Sequence, residues 1–300
     1  MKQRVTKPCR SALFVPGNKP SWVEKAVASG VDSLIIDLED SVPVADKKSA
    51  RLLVKEALIA LDEQGQDCSV RINGLATGMT LDDLQSIVCP ELRAVGLPKV
   101  ETVEDMEQLD ALLTRLEERV GIEPGSVKTG LGLETAKAMR NAYDILVACP
   151  RVTSLTLAAG PGGDANRSIG YVWSKEGTET LYLRSKAVLD AQAAGIRFPM
   201  ITSWWNVNDL EGLERDARFN RQLGFRGQTV IHPSHVPVVN EVFTPSEDEI
   251  TYYKGMLAAL EEAEASGTAA VVYRGDMVDY AMAETAREML AFAESIGLAI

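Results

Sequence analysis

The chain has 300 residues, and its 43 acidic against 31 basic side chains give a formal charge of −12 at pH 7. This excess of negative charge disfavours nucleic acid or an anionic membrane surface as the main partner. The four cysteines are far apart and form no Cys-x-x-Cys pair, which is typical of reduced thiols rather than of a disulfide framework or a zinc site. Because neither a signal peptide nor a membrane-spanning run is recognisable, we expect a cytoplasmic protein.

Short apolar runs alternate with amphipathic helical patterns throughout the chain. In chain order, the predicted strands cover residues 12–15, 33–38, 69–72, 94–98, 128–133, 153–158, 199–202 and 228–231. The predicted helices cover residues 21–29, 46–64, 81–87, 103–119, 136–147, 178–194 and 209–223. This alternation predicts an α/β fold in which residues 1–243 form one (β/α)8 TIM barrel. A doubly wound open sheet is the alternative, but the turn Pro16-Gly17-Asn18-Lys19-Pro20 lacks the glycine-rich pattern of its first crossover.

A C-terminal helical extension follows the predicted barrel over residues 244–300. Ser246 and Glu249 form a capping box that predicts a helix to about residue 266. A short strand or turn over residues 269–279 and a last helix over residues 281–295 complete the extension. We expect this extension to form an interface or a lid with a neighbouring subunit.

Polar residues follow nearly every predicted strand, where the active site of a barrel lies. In chain order these are Asn18, Lys19, Asp37, Glu39, Asp40, Arg71, Asn73, Lys99, Glu101, Glu134, Asp164, Asn206 and His232. The most informative group is Asp37, Glu39 and Asp40, which end an apolar strand. Carboxylates lose free energy on leaving water unless a cation meets them, so this group predicts a metal ion, an Arg or Lys partner, or a basic substrate. A solvated loop with an Asp helix cap is the alternative.

Two further carboxylates favour a metal site. Glu134 ends an apolar run, and Asp164 follows a glycine-rich turn through which the backbone can approach a ligand. Two carboxylates together with water and substrate oxygens are the usual way in which proteins hold Mg²⁺. A helix-capping role for Glu134 and an ordinary turn role for Asp164 are the alternatives.

Other polar residues each leave two interpretations open. Arg71 suits the stabilisation of an oxyanion that develops during a reaction, or a buried ion pair with the carboxylates after the second strand. His232 is a candidate base, although a structural histidine at a strand end is the favoured interpretation. The pair Trp204-Trp205 is expected to form the wall of a pocket, and a cation-binding box is the alternative.

Several short segments occur along the chain in an order that resembles a known family. They are RSALFVPGN at residues 10–18, DLEDSV at 37–42, VRING at 70–74, LPKVE at 97–101, GTE at 177–179, QLGFRG at 222–227, IHPS at 231–234 and MVD at 277–279. The sequence is similar in these segments to the citrate lyase β-subunit-like family of the HpcH/HpaI aldolase superfamily. That family includes malyl-CoA and citramalyl-CoA lyases, and the resemblance covers nearly the whole chain.

The resemblance implies a (β/α)8 barrel with a C-terminal extension that assembles as a trimer or a dimer of trimers. It implies Mg²⁺, or alternatively Mn²⁺, on Glu134 and Asp164, with Arg71 stabilising the oxyanion and Asp279 acting as acid or base in a neighbouring subunit's site. The residues expected behind the metal are Asp37, Glu39, Asp40, Lys99 and Glu101. Those expected to contact CoA or substrate are Arg10, Phe14, Lys19, Lys25, Gly163 and Arg167.

The implied reaction is cleavage or formation of a β-hydroxyacyl-CoA, such as malyl-CoA, citramalyl-CoA or a citryl thioester, with a 2-oxo acid and an acyl-CoA as partners. Three alternatives are the β subunit of a citrate lyase complex acting on a carrier-protein thioester, an HpaI-type aldolase acting on a free 2-oxo acid, and a non-catalytic binding barrel. One departure from the family is the loop Ala158-Ala-Gly-Pro-Gly-Gly-Asp164, which lacks the Glu that often precedes the Asp. Arg167 lies just beyond it and is a candidate to bind a second substrate carboxylate.

Overall fold

Eight parallel strands close into a barrel in the order of the chain. They are β1 (Ser11–Pro16), β2 (Ser33–Asp37), β3 (Asp67–Arg71), β4 (Ala94–Leu97), β5 (Lys128–Leu133), β6 (Val152–Leu157), β7 (Met200–Ile201) and β8 (Gly227–Val230). Strand β8 pairs in parallel with β1 and closes the barrel. This computed structural model describes residues 8–298 and residue 300. The predicted (β/α)8 barrel is confirmed.

Helices connect or follow these strands. They are α1 (Pro20–Val27), α2 (Lys47–Glu63), α3 (Thr80–Ile87), α4 (Val103–Val120), α5 (Ala136–Arg140), α6 (Ala142–Ala148), α7 (Asp164–Ile169), α8 (Leu181–Ala193), α9 (Leu210–Leu223) and α10 (Val236–Phe243). The predicted helix over residues 136–147 is broken at Asn141, whose side-chain amide donates to the Glu101 carbonyl oxygen at 3.0 Å. The sequence does not predict helix α7, because this helix is only six residues long and directly follows a glycine-rich loop.

The core of the barrel follows from the two periodicities of the sequence. Strand β2 is buried on both faces, as expected for a parallel strand between the barrel interior and the helices. Helix α4 begins with a capping box formed by Thr102 and Asp105, and it ends at Gly121 in the left-handed conformation. Because all eight strands run parallel, the polar residues that follow them lie at one end of the barrel.

The chain folds into two compact units, the first ending at Phe243 and the second starting at Thr244. The second unit contains α11 (Glu247–Ala265), the antiparallel strands β9 (Val271–Tyr273) and β10 (Asp276–Val278), and α12 (Tyr280–Ser295). A small apolar cluster around Met256, Leu260 and Val278 holds it together. None of the described helices is long and apolar enough to cross a membrane.

Candidate active site

A buried ion pair joins the ends of β2 and β3. Arg71 donates from Nε to Asp37 Oδ1 and from Nη2 to Asp37 Oδ2, both at 2.7 Å, so the contact is bidentate. The Asp37 side chain is only 1% exposed. Both residues are the last of their strands, and the parallel register places them opposite each other. The guanidinium also lies 4.9 Å from the centre of the Phe14 ring on β1, which restricts it further.

Asp37 accepts additional hydrogen bonds from the turn that follows it. The backbone N–H of Glu39 donates to Oδ1 at 2.8 Å, and the Ser41 hydroxyl donates to Oδ2 at 2.5 Å. Burial by itself would raise the pKa of Asp37, but the Arg71 guanidinium and these hydrogen bonds outweigh burial and hold the pKa below its usual value. The Asp37 carboxylate therefore stays ionised and keeps Arg71 in one orientation.

A second chain of charges runs from Glu39 to Asp164. Arg71 Nη1 lies 3.1 Å from Glu39 Oε2, and Lys99 Nζ lies 3.0 Å from Glu39 Oε1. The same Lys99 ammonium is 3.4 Å from Asp164 Oδ2, while Arg167 hydrogen-bonds to Asp164 Oδ1. Burial raises the pKa of Glu39, and its two cationic neighbours only partly oppose this. The network thus links the ends of β2, β3 and β4 with the first residue of α7.

Lys99 holds its place in this network through a backbone conformation that is rare for its residue type. Its φ angle is +56°, one of only two positive φ values among the described residues other than glycine. Left-handed backbone is unfavourable for a side chain with a Cβ, and where it persists it commonly marks a functional site. The turn after β4 therefore accepts strain while its ammonium reaches both Glu39 and Asp164.

Glu134 directly follows β5 and is half-buried. Within residues 8–298 its carboxylate has neither a hydrogen-bond partner nor an ion-pair partner. Burial raises its pKa to about 7, the negative charge of Glu39 adds to the effect, and Arg71 and Lys99 oppose it. A Cβ on Gly132 would lie 3.1 Å from Glu134 Oε1, so the glycine leaves room for the carboxylate. The ionised form of Glu134 therefore has few partners and would be stabilised by a cation.

Glu134 and Asp164 are the residues that could hold a metal ion. In the described part of the chain, no three His, Cys, Asp or Glu side chains are grouped so that they could share a metal. Two carboxylate ligands completed by water or substrate oxygens fit Mg²⁺ better than the crowded side-chain sites of zinc or calcium. The donor chemistry and the raised pKa of Glu134 both fit a hard divalent cation.

The loop before Asp164 packs against an aromatic side chain. A Cβ on Gly160 would approach Trp205 Nε1 to 2.8 Å, and one on Gly163 would lie 3.5 Å from the same indole. The Tyr171 hydroxyl donates to the Gly160 carbonyl oxygen at 2.9 Å. A cavity of about 290 Å³ adjoins this loop. The glycines are therefore needed for close packing, and Trp204 and Trp205 line this cavity, as the sequence predicted.

Two residues expected behind the metal lie outside the charge network. Asp40 is exposed and has no ion pair among the described residues, although its charge contributes to the raised pKa of Glu39. The Glu101 carboxylate lies 3.5 Å from Lys137 Nζ instead of pairing with Lys99. Of the five residues expected there, the network joins only Asp37, Glu39 and Lys99.

The residues expected to contact CoA or substrate fall into two groups. Phe14, Gly163 and Arg167 lie beside the network described above. Lys19 and Lys25 are exposed at and within α1, after β1. Arg10 does not reach this end of the barrel: it precedes β1, at the opposite end of the strand, and binds Asp32 through Nη2 at 2.7 Å and Nε at 2.9 Å. A substrate role for Arg10 therefore disagrees with the structure, because parallel strands put their amino ends away from the site.

Two further predicted residues have capping roles in the structure. Asp279 is the N-cap of α12 in the second unit, where Oδ1 accepts from the backbone N–H of Ala281 at 3.0 Å. His232 caps a short turn after β8, where its Nδ1 accepts a hydrogen bond from the Ser234 backbone N–H at 3.2 Å and also lies 2.7 Å from the Ser234 hydroxyl. That hydrogen bond agrees with the structural interpretation of His232.

Sequence reasoning did not identify two contributors to the site. Lys47, which is 7% exposed, donates from Nζ to the carbonyl oxygens of Leu38 and Glu39 at 2.7 and 2.8 Å and so fixes the acidic turn. Trp173 lies in the lining of the aromatic cavity. For Lys47, the only signal in the sequence was its position a few residues after three carboxylates. No sequence feature indicated a role for Trp173.

Comparison with known proteins agrees with the resemblance seen in the sequence. The model of the HpcH/HpaI aldolase/citrate lyase family matches residues 10–233. The citrate lyase subunit beta of Leuconostoc mesenteroides subsp. cremoris is 36% identical over 286 residues, which are 95% of this chain and 93% of that protein. The L-malyl-CoA/beta-methylmalyl-CoA lyase of Cereibacter sphaeroides is 33% identical over 306 residues, covering 97% of this chain and 96% of that protein.

A solved structure is similar along the whole fold. The protein CitE from Mycobacterium tuberculosis, crystallised with magnesium, acetoacetate and coenzyme A, has a TM-score of 0.74 and 28% identity. The match covers 97% of this chain and 99% of that one. The predicted family resemblance is thereby confirmed over nearly the whole chain.

Proposed function

Because this chain belongs to the HpcH/HpaI aldolase/citrate lyase family, we propose that it is a Mg²⁺-dependent carbon–carbon lyase acting on a β-hydroxyacyl-CoA. The products would be a 2-oxo acid and an acyl-CoA, and the reverse reaction would join them. The observation that carries this proposal is the joint placement of Arg71, Glu134 and Asp164 at the carboxyl end of one barrel. The malyl-CoA lyase relative and the neighbour crystallised with magnesium, acetoacetate and coenzyme A support the choice of substrate and metal.

Glu134 and Asp164 would hold the Mg²⁺ ion, for which Mn²⁺ is the alternative. When bound, such an ion supplies Lewis-acid polarisation of hydroxyl and carboxylate oxygens. The rest of the network prepares this site: Lys99 fixes Glu39 beside the two ligands, and it also contacts Asp164. Metal binding would require Asp164 to exchange part of its contact with Lys99 and Arg167 for the ion.

Arg71 would hold the enolate oxygen of the acyl-CoA. In the cleavage direction, the substrate hydroxyl would give its proton to solvent water, and the bond between its carbon and the carbon next to the thioester carbonyl would break. The bonding electrons move onto the thioester carbonyl, and the 2-oxo acid is released. Asp37 uses the Nε and one N–H of Nη2, so Arg71 retains further N–H groups for this oxygen. A donor held in place in advance stabilises developing negative charge without reorganising during the reaction.

Asp279 from a neighbouring copy of the chain would protonate the enolate carbon. This assignment follows the family pattern, and it requires an oligomer, for which we propose a trimer or a dimer of trimers in the cytoplasm. The hydrogen bond from the Ala281 backbone N–H orients the Asp279 carboxylate at the start of α12. Light scattering should give the mass of the assembly, and a monomeric but fully active protein would contradict this role.

A carrier-protein thioester is the second candidate substrate. It is favoured by the citrate lyase subunit beta of Leuconostoc mesenteroides, which matches the chain nearly from end to end. An acyl carrier protein would then replace CoA, and the chain would require other subunits for turnover. Activity of the isolated protein with acyl-CoA would argue against this candidate.

The direct test is to incubate the protein with Mg²⁺, acetyl-CoA or propionyl-CoA, and a panel of 2-oxo acids, and to identify adducts by mass spectrometry. We expect a β-hydroxyacyl-CoA that disappears when EDTA removes the metal. Glu134→Ala and Arg71→Ala should abolish its formation. Full turnover in either variant would contradict the assignment, aldehyde or aldol products formed without CoA would indicate an aldolase, and no Mg²⁺ binding by calorimetry would indicate a non-catalytic barrel.

A further inference from the structure

Three of the four tryptophans of the chain line a single cavity next to the loop that ends at Asp164. Trp204 and Trp205 follow β7, and Trp173 lies after α7. The Trp173 and Trp204 rings are 5.5 Å apart and tilted by 56°, so these two indoles pack directly against each other. The other lining residues are Pro161, Lys175 and Asn206.

The cavity is physically continuous with the metal loop. Pro161 belongs to both, and Trp205 covers Gly160 and Gly163. Because Gly163 directly precedes Asp164, a group in the cavity would lie beside whatever Asp164 binds. Trp205 is 49% exposed at the rim, whereas Trp204 is 5% exposed. The exposed Trp205 indole therefore lies at the opening of the cavity, and the buried Trp204 indole forms its inner wall.

The chemistry of the cavity is apolar, although a lysine lines it. Lys175 Nζ is 2.6 Å from Asp209 Oδ2, so its charge is already balanced. The buried indole N–H of Trp204 is uncharged and has no acceptor within the described residues. Without an uncompensated cation, the cavity offers no counterion to a second carboxylate of a substrate. Flat apolar groups suit it best.

We propose that this cavity binds the side chain of the 2-oxo acid and selects a flat apolar side chain, either aromatic or branched. This inference rests on the proposed function and specifies its substrate class. The 2-oxo acid is the fragment held at Glu134 and Asp164, and the cavity shares the Asp164 loop. The acyl-CoA enolate is held instead at Arg71 on β3, three strands away from β6 in the barrel order.

The volume is sufficient for the side chain of a 2-oxo acid. Pockets that enclose a complete drug-sized ligand measure about 300–1,000 Å³. The cavity, at about 290 Å³, accommodates a phenyl or branched alkyl group with room to spare but not a CoA molecule. A small methyl group, as in pyruvate, would leave most of it unfilled.

The test compares two 2-oxo acids by calorimetry in the presence of Mg²⁺: pyruvate and 2-oxo-3-phenylpropanoate. Filling an apolar pocket changes affinity by about tenfold to a hundredfold, so the phenyl compound should bind at least about tenfold more tightly. Trp173→Ala should remove this preference and leave pyruvate affinity within about twofold, since Trp173 packs against Trp204 and pyruvate does not fill the cavity. Trp22→Ala changes the remaining tryptophan, which is 51% exposed on α1, and should retain the preference.

Two results would overturn the proposal. One is equal affinity of the wild-type protein for both 2-oxo acids, and the other is an undiminished preference in Trp173→Ala. The pyruvate measurement also verifies that Trp173→Ala folds. If neither 2-oxo acid binds in the presence of Mg²⁺, the proposed function fails as well, whereas Mg²⁺-dependent binding without a size preference removes only the side-chain assignment.

Discussion

The two sides of the barrel end are built on different principles. At β2 and β3, Arg71 and Asp37 form a bidentate pair that is sealed by Phe14, Ser41 and the Glu39 backbone. At β6 and β7, a glycine-rich loop carries Asp164, whose partner Arg167 is 78% exposed, and an open aromatic cavity lies next to it. An ion pair holds the side chains of the first region in place, whereas close packing of glycines against aromatic rings forms much of the second.

The difference corresponds to two tasks. An enolate oxygen has the same charge and size in every thioester of the proposed class, so a rigid donor serves all of them. The 2-oxo acid, by contrast, differs from one substrate to another. Substitutions in the glycine-rich loop or among the tryptophans of the cavity can change the binding of this acid without disturbing Arg71. We therefore expect substitutions on the β2–β3 side to affect rate and stability, and those on the β6–β7 side to affect binding.

The largest effect is expected for Arg71→Lys. Lysine keeps the charge but cannot form the bidentate contact with Asp37, so the donor loses its orientation. Removing one preorganised donor of an oxyanion lowers kcat by roughly a hundredfold to a thousandfold, and we expect a loss of this size. Steady-state kinetics of thioester cleavage measure it, with Arg140→Lys on α5 as a matched control at an exposed arginine. An Arg71→Lys enzyme within about threefold of wild type would remove Arg71 from the chemistry.

The next prediction compares how much the free energy of unfolding falls when one carboxylate is removed from each side. Asp37→Asn removes the bidentate counterion of Arg71 and leaves it with Glu39 alone, so we expect the free energy of unfolding to fall by about 3 kcal/mol, the lower end of the range for breaking a buried pair. Asp164→Asn weakens contacts with the exposed Arg167 and the partly exposed Lys99, each of which is worth about 1 kcal/mol or less. Urea denaturation in the presence of EDTA compares the variants without a contribution from bound metal. Equal losses in the free energy of unfolding would contradict the expected difference between the two regions.

The sequence predicted the barrel and most of the network because both follow from local patterns. Apolar runs of strand length ended at Asp37, Arg71 and Glu134, and parallel strands bring their carboxyl ends to one place. The sequence could not show which carboxylate each cation would choose, because this depends on side-chain torsions. Lys99 illustrates the point: its two contacts require a left-handed backbone that no residue pattern indicates.

The errors have equally specific causes. A motif predicts a substrate role for Arg10, although its position before β1 places it at the amino end of the strand. Glu101 lies near Lys99 in sequence, but the start of α4 turns it toward Lys137. The tryptophan cavity unites residues from different loops, and only the folded barrel brings Trp173 to Trp204.

A moderate effect on stability is expected for Glu134→Gln in metal-free protein. The pKa of Glu134 is about 7 in the folded state and near 4.5 in the unfolded chain, so the folded protein holds an extra proton between these pH values. The penalty for ionising Glu134 in the folded protein therefore grows between pH about 4.5 and about 7, is complete above pH about 7, and disappears below pH about 4. Glu134→Gln should raise the free energy of unfolding by about 1–3 kcal/mol at pH 8 and leave it nearly unchanged at pH about 4.

Thermal or urea denaturation at both pH values, with EDTA present, measures the Glu134 effect. Added Mg²⁺ should reverse its sign at pH 8, because the ion stabilises wild type but loses a ligand in the variant. A pH-independent difference between the two proteins would contradict the raised pKa.

The smallest effect concerns the competition for Asp164. Arg167 contacts Asp164 Oδ1, so the arginine and a metal ion compete for the same carboxylate. Arg167→Ala should therefore tighten Mg²⁺ binding by about twofold to fivefold, the range of an exposed ion pair worth less than about 1 kcal/mol. Calorimetric titration with Mg²⁺ detects this without any substrate, and Arg140→Ala controls for the loss of one positive charge elsewhere. Because raised ionic strength screens exposed pairs, the gain should shrink in about 0.5 M salt; weaker Mg²⁺ binding in Arg167→Ala would instead mean that Arg167 holds Asp164 in position for the metal.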